Sequence, residues 1–276
     1  MSTLKRAFLE TGIARSFLGL LGRRDSGRRL LNIMDRPRGV YTSFEEAALA
    51  AKTARSGGHE HPDPIAAHQA SSDTLRPSDY AVLHWLRGIG APLRIFDFGG
   101  NVGNLYYSYK SYLTNPETVN WTVYDLPAVL EAGRILAAER AALNLSFVDQ
   151  LKLDPRTNVV LISGAFHYWE KSVEVLLDEL GVKPPHLFIN RSPMHDRQQT
   201  FTTVQLHPRF AVPCIVHNSN EVIAAFEVLG YELVDRWPVL ELSLYLPLFP
   251  DWSIPSYTGF YFRRRATTKS ESRHHA

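Results

Sequence analysis

Two aspartates, each closing a short apolar run, give the chain its first chemical signal. Arg94-Ile95-Phe96 runs into Asp97-Phe98-Gly99-Gly100-Asn101-Val102-Gly103, an acid followed by a glycine-rich turn. Further on, Trp121-Thr122-Val123-Tyr124 runs into Asp125-Leu126-Pro127. Glycines let backbone come close to a ligand, and an acid at the end of a second strand can accept hydrogen bonds from a ribose diol. That order suits an adenosine-bearing ligand. A dinucleotide would need Gly-x-Gly-x-x-Gly, so that a pyrophosphate can rest on the helix N-terminus. Counted from Gly99 the third position is Asn101, and counted from Gly100 it is Val102, so that pattern is absent. This counts against a nicotinamide-dependent oxidoreductase on a similar sheet.

S-adenosylmethionine (SAM) has no phosphate to cradle. A site for it needs an acid at a strand end, close backbone at the turn and a diol-binding acid on the next strand. Asp97, Gly99, Gly103 and Asp125 supply these, and Asp125 can also cap the helix that Leu126-Pro127 opens. The stretch from Asp97 to Gly103 resembles the first motif of class I SAM-dependent methyltransferases, with Asn101 where that family has glycine. Tyr124-Asp125-Leu126-Pro127 resembles the strand-two motif of its small-molecule O-methyltransferases. Val159-Val160-Leu161-Ile162-Ser163-Gly164-Ala165-Phe166-His167-Tyr168 resembles the strand-four motif and its following turn. Gly39-Val40-Tyr41, Ser43-Phe44 and Ala47, with Thr203-Val204-Gln205, are similar to a group of bacterial methyltransferases of unassigned substrate. The resemblance covers roughly residues 38–264.

What the resemblance implies is SAM as cofactor and methyl transfer to a small molecule, with oxygen as the expected acceptor atom. Gly100 and Leu126 join the cofactor set, and the adenine is placed near Asp149 and Gln150. In open parallel sheets ligands sit beyond the carboxyl ends of the strands. Ser163 and Gly164 are therefore expected to make room for the methionine half. Phe166 and Tyr168 can offer a ring to the sulfonium or simply pack in the core. Methyl transfer from a sulfonium is a one-step displacement, so the protein mainly brings nucleophile and methyl into line. A hydroxyl acceptor also profits from a base near neutrality, for which His167 and His195 are the candidates. A carboxylate acceptor needs only cationic positioning, for which Arg191 and Arg197 stand near. Gln205 completes the expected substrate contacts. The alternative is a methyltransferase-like protein that binds or assembles without catalysis.

These residues need an alternating α/β scaffold. Strands are expected at Leu93–Phe98, Trp121–Tyr124, Leu145–Val148, Asn158–Ser163 and His186–Ile189. Helices are expected at Asn104–Leu113, Ala128–Glu139, Val173–Leu180 and Asn220–Leu229. Two late strands follow, Tyr231–Trp237 and Gly259–Arg263. The fold class is α/β: a Rossmann-like seven-stranded sheet, mostly parallel, with the last strand antiparallel and an N-terminal helical extension. Residues 1–90 form the helical region, 91–265 the cofactor-binding domain and 266–276 a frayed tail. Residues 191–218 and 242–258 read as long excursions, the first a substrate pocket or lid and the second, rich in proline and aromatic residues, a pocket wall or dimer surface. Ser43 is expected to cap a short helix, with Glu46 as its capping-box partner.

The 276 residues carry 30 Lys and Arg against 28 Asp and Glu, a net charge of +2, so nothing argues for nucleic acid as a partner. Cys214 is the only cysteine, which excludes an intramolecular disulfide and a cysteine-rich zinc site. This fits a cytoplasmic protein. His59-x-His61 with Asp63 reads as a solvated loop, and no metal is expected. Residues 1–35 are basic and helical. Lys5, Arg6, Arg15, Arg23 and Arg24 could face anionic lipid, but an arm packed on its own domain or on a second subunit, as in a homodimer, is favoured.

Overall fold

The computed structural model describes residues 11–35, 38–54, 73–206 and 210–266. His59, His61, Asp63, Lys5 and Arg6 and the tail from residue 267 lie outside them. The basic N-terminal run makes two helices, α1 (Gly12–Gly22) and α2 (Asp25–Met34). Gly27 permits the sharp reversal between them: a Cβ there would lie 2.1 Å from the Leu21 carbonyl oxygen. In α3 (Phe44–Ala54) the Ser43 hydroxyl accepts the Glu46 amide at 3.2 Å, as a cap should. The Glu46 carboxylate reaches back to the amide and hydroxyl of Thr42, one residue earlier than a capping box places it. Helix α4 (Asp79–Ile89) then leads into the sheet.

The sheet is built from β1 (Arg94–Phe98), β2 (Asn120–Tyr124), β3 (Leu145–Val148), β4 (Val159–Ser163) and β5 (His186–Ser192), all parallel to one another. Helices α5 (Asn104–Tyr109), α6 (Pro127–Glu139) and α7 (Val173–Leu180) connect them. Pro127 opens α6, where a missing N–H costs nothing. Ser172 caps α7 by accepting the Val175 amide at 3.3 Å, and Gly181 stops it at φ 72°. Val159-Val160-Leu161-Ile162 is buried at every position because helices cover both faces of the sheet. Alternation divides the core: Ile95, Trp121, Val159, Leu161 and Phe188 face one cluster, and Phe96, Val160, Ile162, Leu187 and Ile189 the other.

Beyond β5 the chain departs from the sequence expectation. Residues 191–218 contain β6 (Met194–His195), β7 (Phe201–Leu206) and β8 (Ala211–Asn218), a second sheet in the order β6-β8-β7. Pro213 hides β8, since proline cannot donate to a ladder. It stands opposite Val204 of β7, while on the other side β6 reaches only His217 and Asn218. Helix α8 (Ser219–Val228) returns the chain to β9 (Tyr231–Val239) and β10 (Tyr257–Arg264). The main sheet runs β3-β2-β1-β4-β5-β10-β9, with β10 inserted antiparallel to both β5 and β9. The N-terminal segment docks on the second sheet. Tyr41 and Thr202 exchange backbone hydrogen bonds at 2.8 and 3.1 Å, and the Thr203 hydroxyl donates to the Gly39 carbonyl at 2.7 Å. No helix of the described residues is long and apolar enough to cross a membrane.

Candidate functional site

Strand order reverses between β1 and β4, and the turns that follow these strands form the carboxyl edge where α/β sheets hold ligands. The turn after β1 is tied to β2. The Gly99 amide donates to the Tyr124 carbonyl at 2.8 Å, and the Asn101 amide donates to Asp125 Oδ2 at 2.8 Å. Asp125 Oδ1 accepts the Leu126 amide at 2.7 Å. Asn101 has φ 58°, a left-handed conformation that asparagine tolerates better than most residues. Its side chain folds back to accept the Val102 amide at 2.9 Å. The glycine that the sequence resemblance leads one to expect here is thus replaced by a residue that tolerates the same left-handed backbone.

The glycines of this turn serve the chain's own packing. A Cβ on Gly99 would lie 2.4 Å from the Ala165 Cβ, and one on Gly100 would lie 2.5 Å from the Asp97 Cγ. Gly103 fits as closely under Leu145. Asp97 is wholly buried, and Trp121 Nε1 donates to its Oδ2 at 3.0 Å. Burial pushes its carboxyl up to about 7 against the opposing Trp121 bond, while its Oδ1 has no partner. Burial also raises Asp125, opposed by its two backbone donors. Leu126 is 38% exposed beside it, and Asp149 and Gln150 are exposed after β3.

After β4, Gly164 turns at φ 76°, and a Cβ there would meet nothing within 4 Å. Its amide donates to the Asn190 carbonyl at 2.9 Å, and the Asn190 side chain joins Ser163 Oγ at 3.4 Å to Trp237 Nε1 at 3.1 Å. A 3-10 turn, Phe166–Tyr168, follows. Phe166 and His167 are buried, and the His167 ring lies 4.1 Å from that of Tyr168. The Tyr168 hydroxyl donates to Gln205 Oε1 at 2.5 Å, and Gln205 Nε2 donates to the Tyr257 hydroxyl at 2.9 Å. The structure therefore joins Tyr168 and Gln205, which are far apart in sequence, and adds Tyr257. Burial holds both phenols well above their ordinary range.

His195 and Arg191 have different surroundings from those their loop positions suggest. The His195 Nδ1 accepts the amides of Arg197 and Gln198, both at 3.0 Å, and Nε2 faces the Asp251 carbonyl at 3.1 Å. Both ring nitrogens are engaged in holding the loop. Arg191 lies within β5, since the strand runs to Ser192 and not only to Ile189. It is 8% exposed at φ 58°, whereas Arg197 is exposed. Left-handed backbone at a non-glycine residue is strained and clusters at functional sites. Arg191 Nε, Ser192 Oγ and His217 Nε2 are buried without hydrogen-bond partners.

His217 was not legible as a site residue, because β8 was not. Its ring lies 4.7 Å from that of Phe166. Burial lowers it to about 4, against a hydrogen bond with the Phe166 backbone, so it is neutral near pH 7. Among the described residues no group of three or more His, Cys, Asp or Glu could hold a metal ion.

No protein-family model and no curated protein matches the chain. Among solved structures, it is similar to a SAM-dependent methyltransferase from Aquifex aeolicus, with TM-score 0.50, 13% identity and coverage of 74% of this chain and 99% of that one. It is likewise similar to the glycopeptide N-methyltransferase MtfA, with TM-score 0.50, 14% identity and coverage of 73% and 98%. Strand order, the inserted antiparallel β10 and these likenesses agree: the chain has the Rossmann-like class I methyltransferase fold.

Proposed function

We propose that the chain is a SAM-dependent methyltransferase acting on a small molecule, at oxygen. The observation that carries this reading is the Asp125 clamp. One carboxylate fixes both the turn after β1 and the start of α6 at the edge where the strand order reverses. Each oxygen spends one lone-pair direction on backbone and keeps acceptor capacity for a ribose diol. SAM fits the residues present: the Asn101 side chain is folded back on its own turn, and open space lies over Gly164. The antiparallel β10 and the missing Gly-x-Gly-x-x-Gly both count against a nicotinamide enzyme.

In this reading Asp125 holds the ribose, Leu126, Asp149 and Gln150 border the adenine, and Ser163 and Gly164 leave room for the methionine end. Asp97 and Gly100 set the turn from beneath. SAM supplies an electrophilic methyl on its sulfonium. The chain's own residues exclude water and align the acceptor, with Phe166, Tyr168, Gln205 and Tyr257 as its wall. His167 takes the acceptor's hydroxyl proton, because His195 spends both nitrogens on its loop.

The test is calorimetric titration with SAM and S-adenosylhomocysteine. Wild-type protein is expected to bind both at micromolar concentration, and Asp125→Ala to bind neither measurably while still folded. Folded wild-type protein that binds neither ligand would remove the reading and leave the non-catalytic one in its place.

A further inference from the structure

Among the described residues, the Arg191 cation has nothing to balance it. Its Nε is fully buried without an acceptor, and it makes no ion pair or hydrogen bond through its side chain with any described residue. The nearby acid downstream is committed elsewhere: Asp196 accepts from Arg236 at 2.7 Å and from Ser219 at 2.6 Å. Buried guanidinium groups are ordinarily paired, because removing an unpaired charge from water is costly. Ser192 Oγ, on the next residue, is a second buried polar atom without a partner, and His217 Nε2 is a third. Met194, two residues past Ser192, lies in register with His217, so the three belong to one corner of the molecule. Asn190, the residue before Arg191, accepts the Gly164 amide at 2.9 Å, which ties this corner to the turn after β4.

We propose that the methyl acceptor carries a carboxylate, and that Arg191 binds it, with the Ser192 hydroxyl as a further donor. The inference rests on the methyltransferase reading and deepens it by naming the substrate class. A planar guanidinium matches a carboxylate in two parallel hydrogen bonds. β5 lies one strand beyond the β1–β4 reversal, on the side of the aromatic residues Phe166, Tyr168 and Tyr257. An aromatic acid is therefore the fitting probe. SAM also carries a carboxylate on its amino-acid end, and the test separates the two sources.

The full chain is titrated with para-hydroxybenzoate against para-hydroxybenzamide, both in the presence of S-adenosylhomocysteine. In a second pair, S-adenosylhomocysteine is compared with methylthioadenosine, which lacks the amino-acid end. Each is measured on wild type, Arg191→Met and Arg191→Lys. Wild type should prefer the acid to the amide. Arg191→Met should lose about ten- to a hundredfold of its affinity for the acid, keep its affinity for the other three probes, and melt no lower than wild type. Its melting point should hold because an unpaired buried cation has been replaced by an apolar side chain. Arg191→Lys should restore part of the acid affinity. Equal affinity for acid and amide in wild type overturns the proposal, as does an acid affinity that the methionine variant leaves intact. A loss confined to S-adenosylhomocysteine relative to methylthioadenosine assigns Arg191 to the cofactor's carboxylate and overturns the acceptor assignment. Wild type that binds S-adenosylhomocysteine but not the acid removes this inference alone; wild type that binds neither removes the methyltransferase reading with it.

Discussion

Asp97 and Asp125 look alike in sequence, each an acid closing a strand, yet their environments divide their work. Asp125 meets two backbone amides at the sheet edge, whereas Asp97 is sealed against Trp121 and Gly100. The sequence could pair the two acids but could not say which is reachable, because that depends on the indole packed behind β1. The burial of Asp97 has a consequence for stability. Its carboxyl is raised from 3.8 to about 7 in the folded chain. Between those values the folded state holds more protons than the unfolded one, so its contribution is fully present below about pH 4 and lost as pH rises through about 7. The loss amounts to about 4 kcal/mol. Asp97→Asn keeps an oxygen for the Trp121 indole and removes the titration. Thermal melts across pH should therefore show the variant flatter than wild type, matching it near pH 4 and standing several degrees above it at pH 8. Parallel curves would mean that Asp97 does not titrate in this window.

At the scale of elements, the turns after β1 and β4 are two halves of one fitting. Gly99 of the first turn sits on Ala165 of the second, so the sheet edge is shaped by backbone meeting the Ala165 methyl. Gly99→Ala adds both a left-handed strain and a 2.4 Å contact, and should destabilise by about 3 kcal/mol. Gly164→Ala adds the strain alone, about 1 kcal/mol, but fills space that the proposed function reserves for the methionine end. Chemical denaturation should rank the two in that order, and cofactor titration should find Gly164→Ala the more impaired per unit of stability lost. The reverse ranking would sink the ligand role given to that space. The βα alternation was readable because continuous apolar runs such as Val159–Ile162 need cover on both faces. The second sheet was not: Pro213 interrupts one strand, and β6 has only two residues. With it went His217 and the true end of β5, which is why Arg191 read as a loop residue.

For the molecule as a whole, the question is whether the N-terminal helices are an appendage or a support. Leu18, Leu31 and Val40 share a core cluster with Leu86, Ile95, Trp121, Phe249 and Trp252. Gly19 of α1 lies close to Asp251, whose carbonyl oxygen accepts from Gln198 Nε2 at 3.2 Å and meets His195 Nε2 at 3.1 Å. The helices therefore bear on the connection between β9 and β10, and through Asp251 on the loop that follows Arg191. The sequence marked both segments, one as a basic helical arm and one as an aromatic-rich excursion, but gave no sign that they meet, since such a contact has no local periodicity. Leu31→Ala tests the support. Leu31 is 2% exposed, and its truncation should cost about 2–5 kcal/mol. If helices and sheet are one cooperative unit, tryptophan fluorescence and far-UV circular dichroism of the variant should shift together along the denaturant axis. They should report a single transition, because Trp252 lies under α1 and Trp121 in the sheet. Separate transitions would mean that the arm unfolds alone, and the link from α1 through Asp251 to the acceptor side of the site would then have no hold on Arg191.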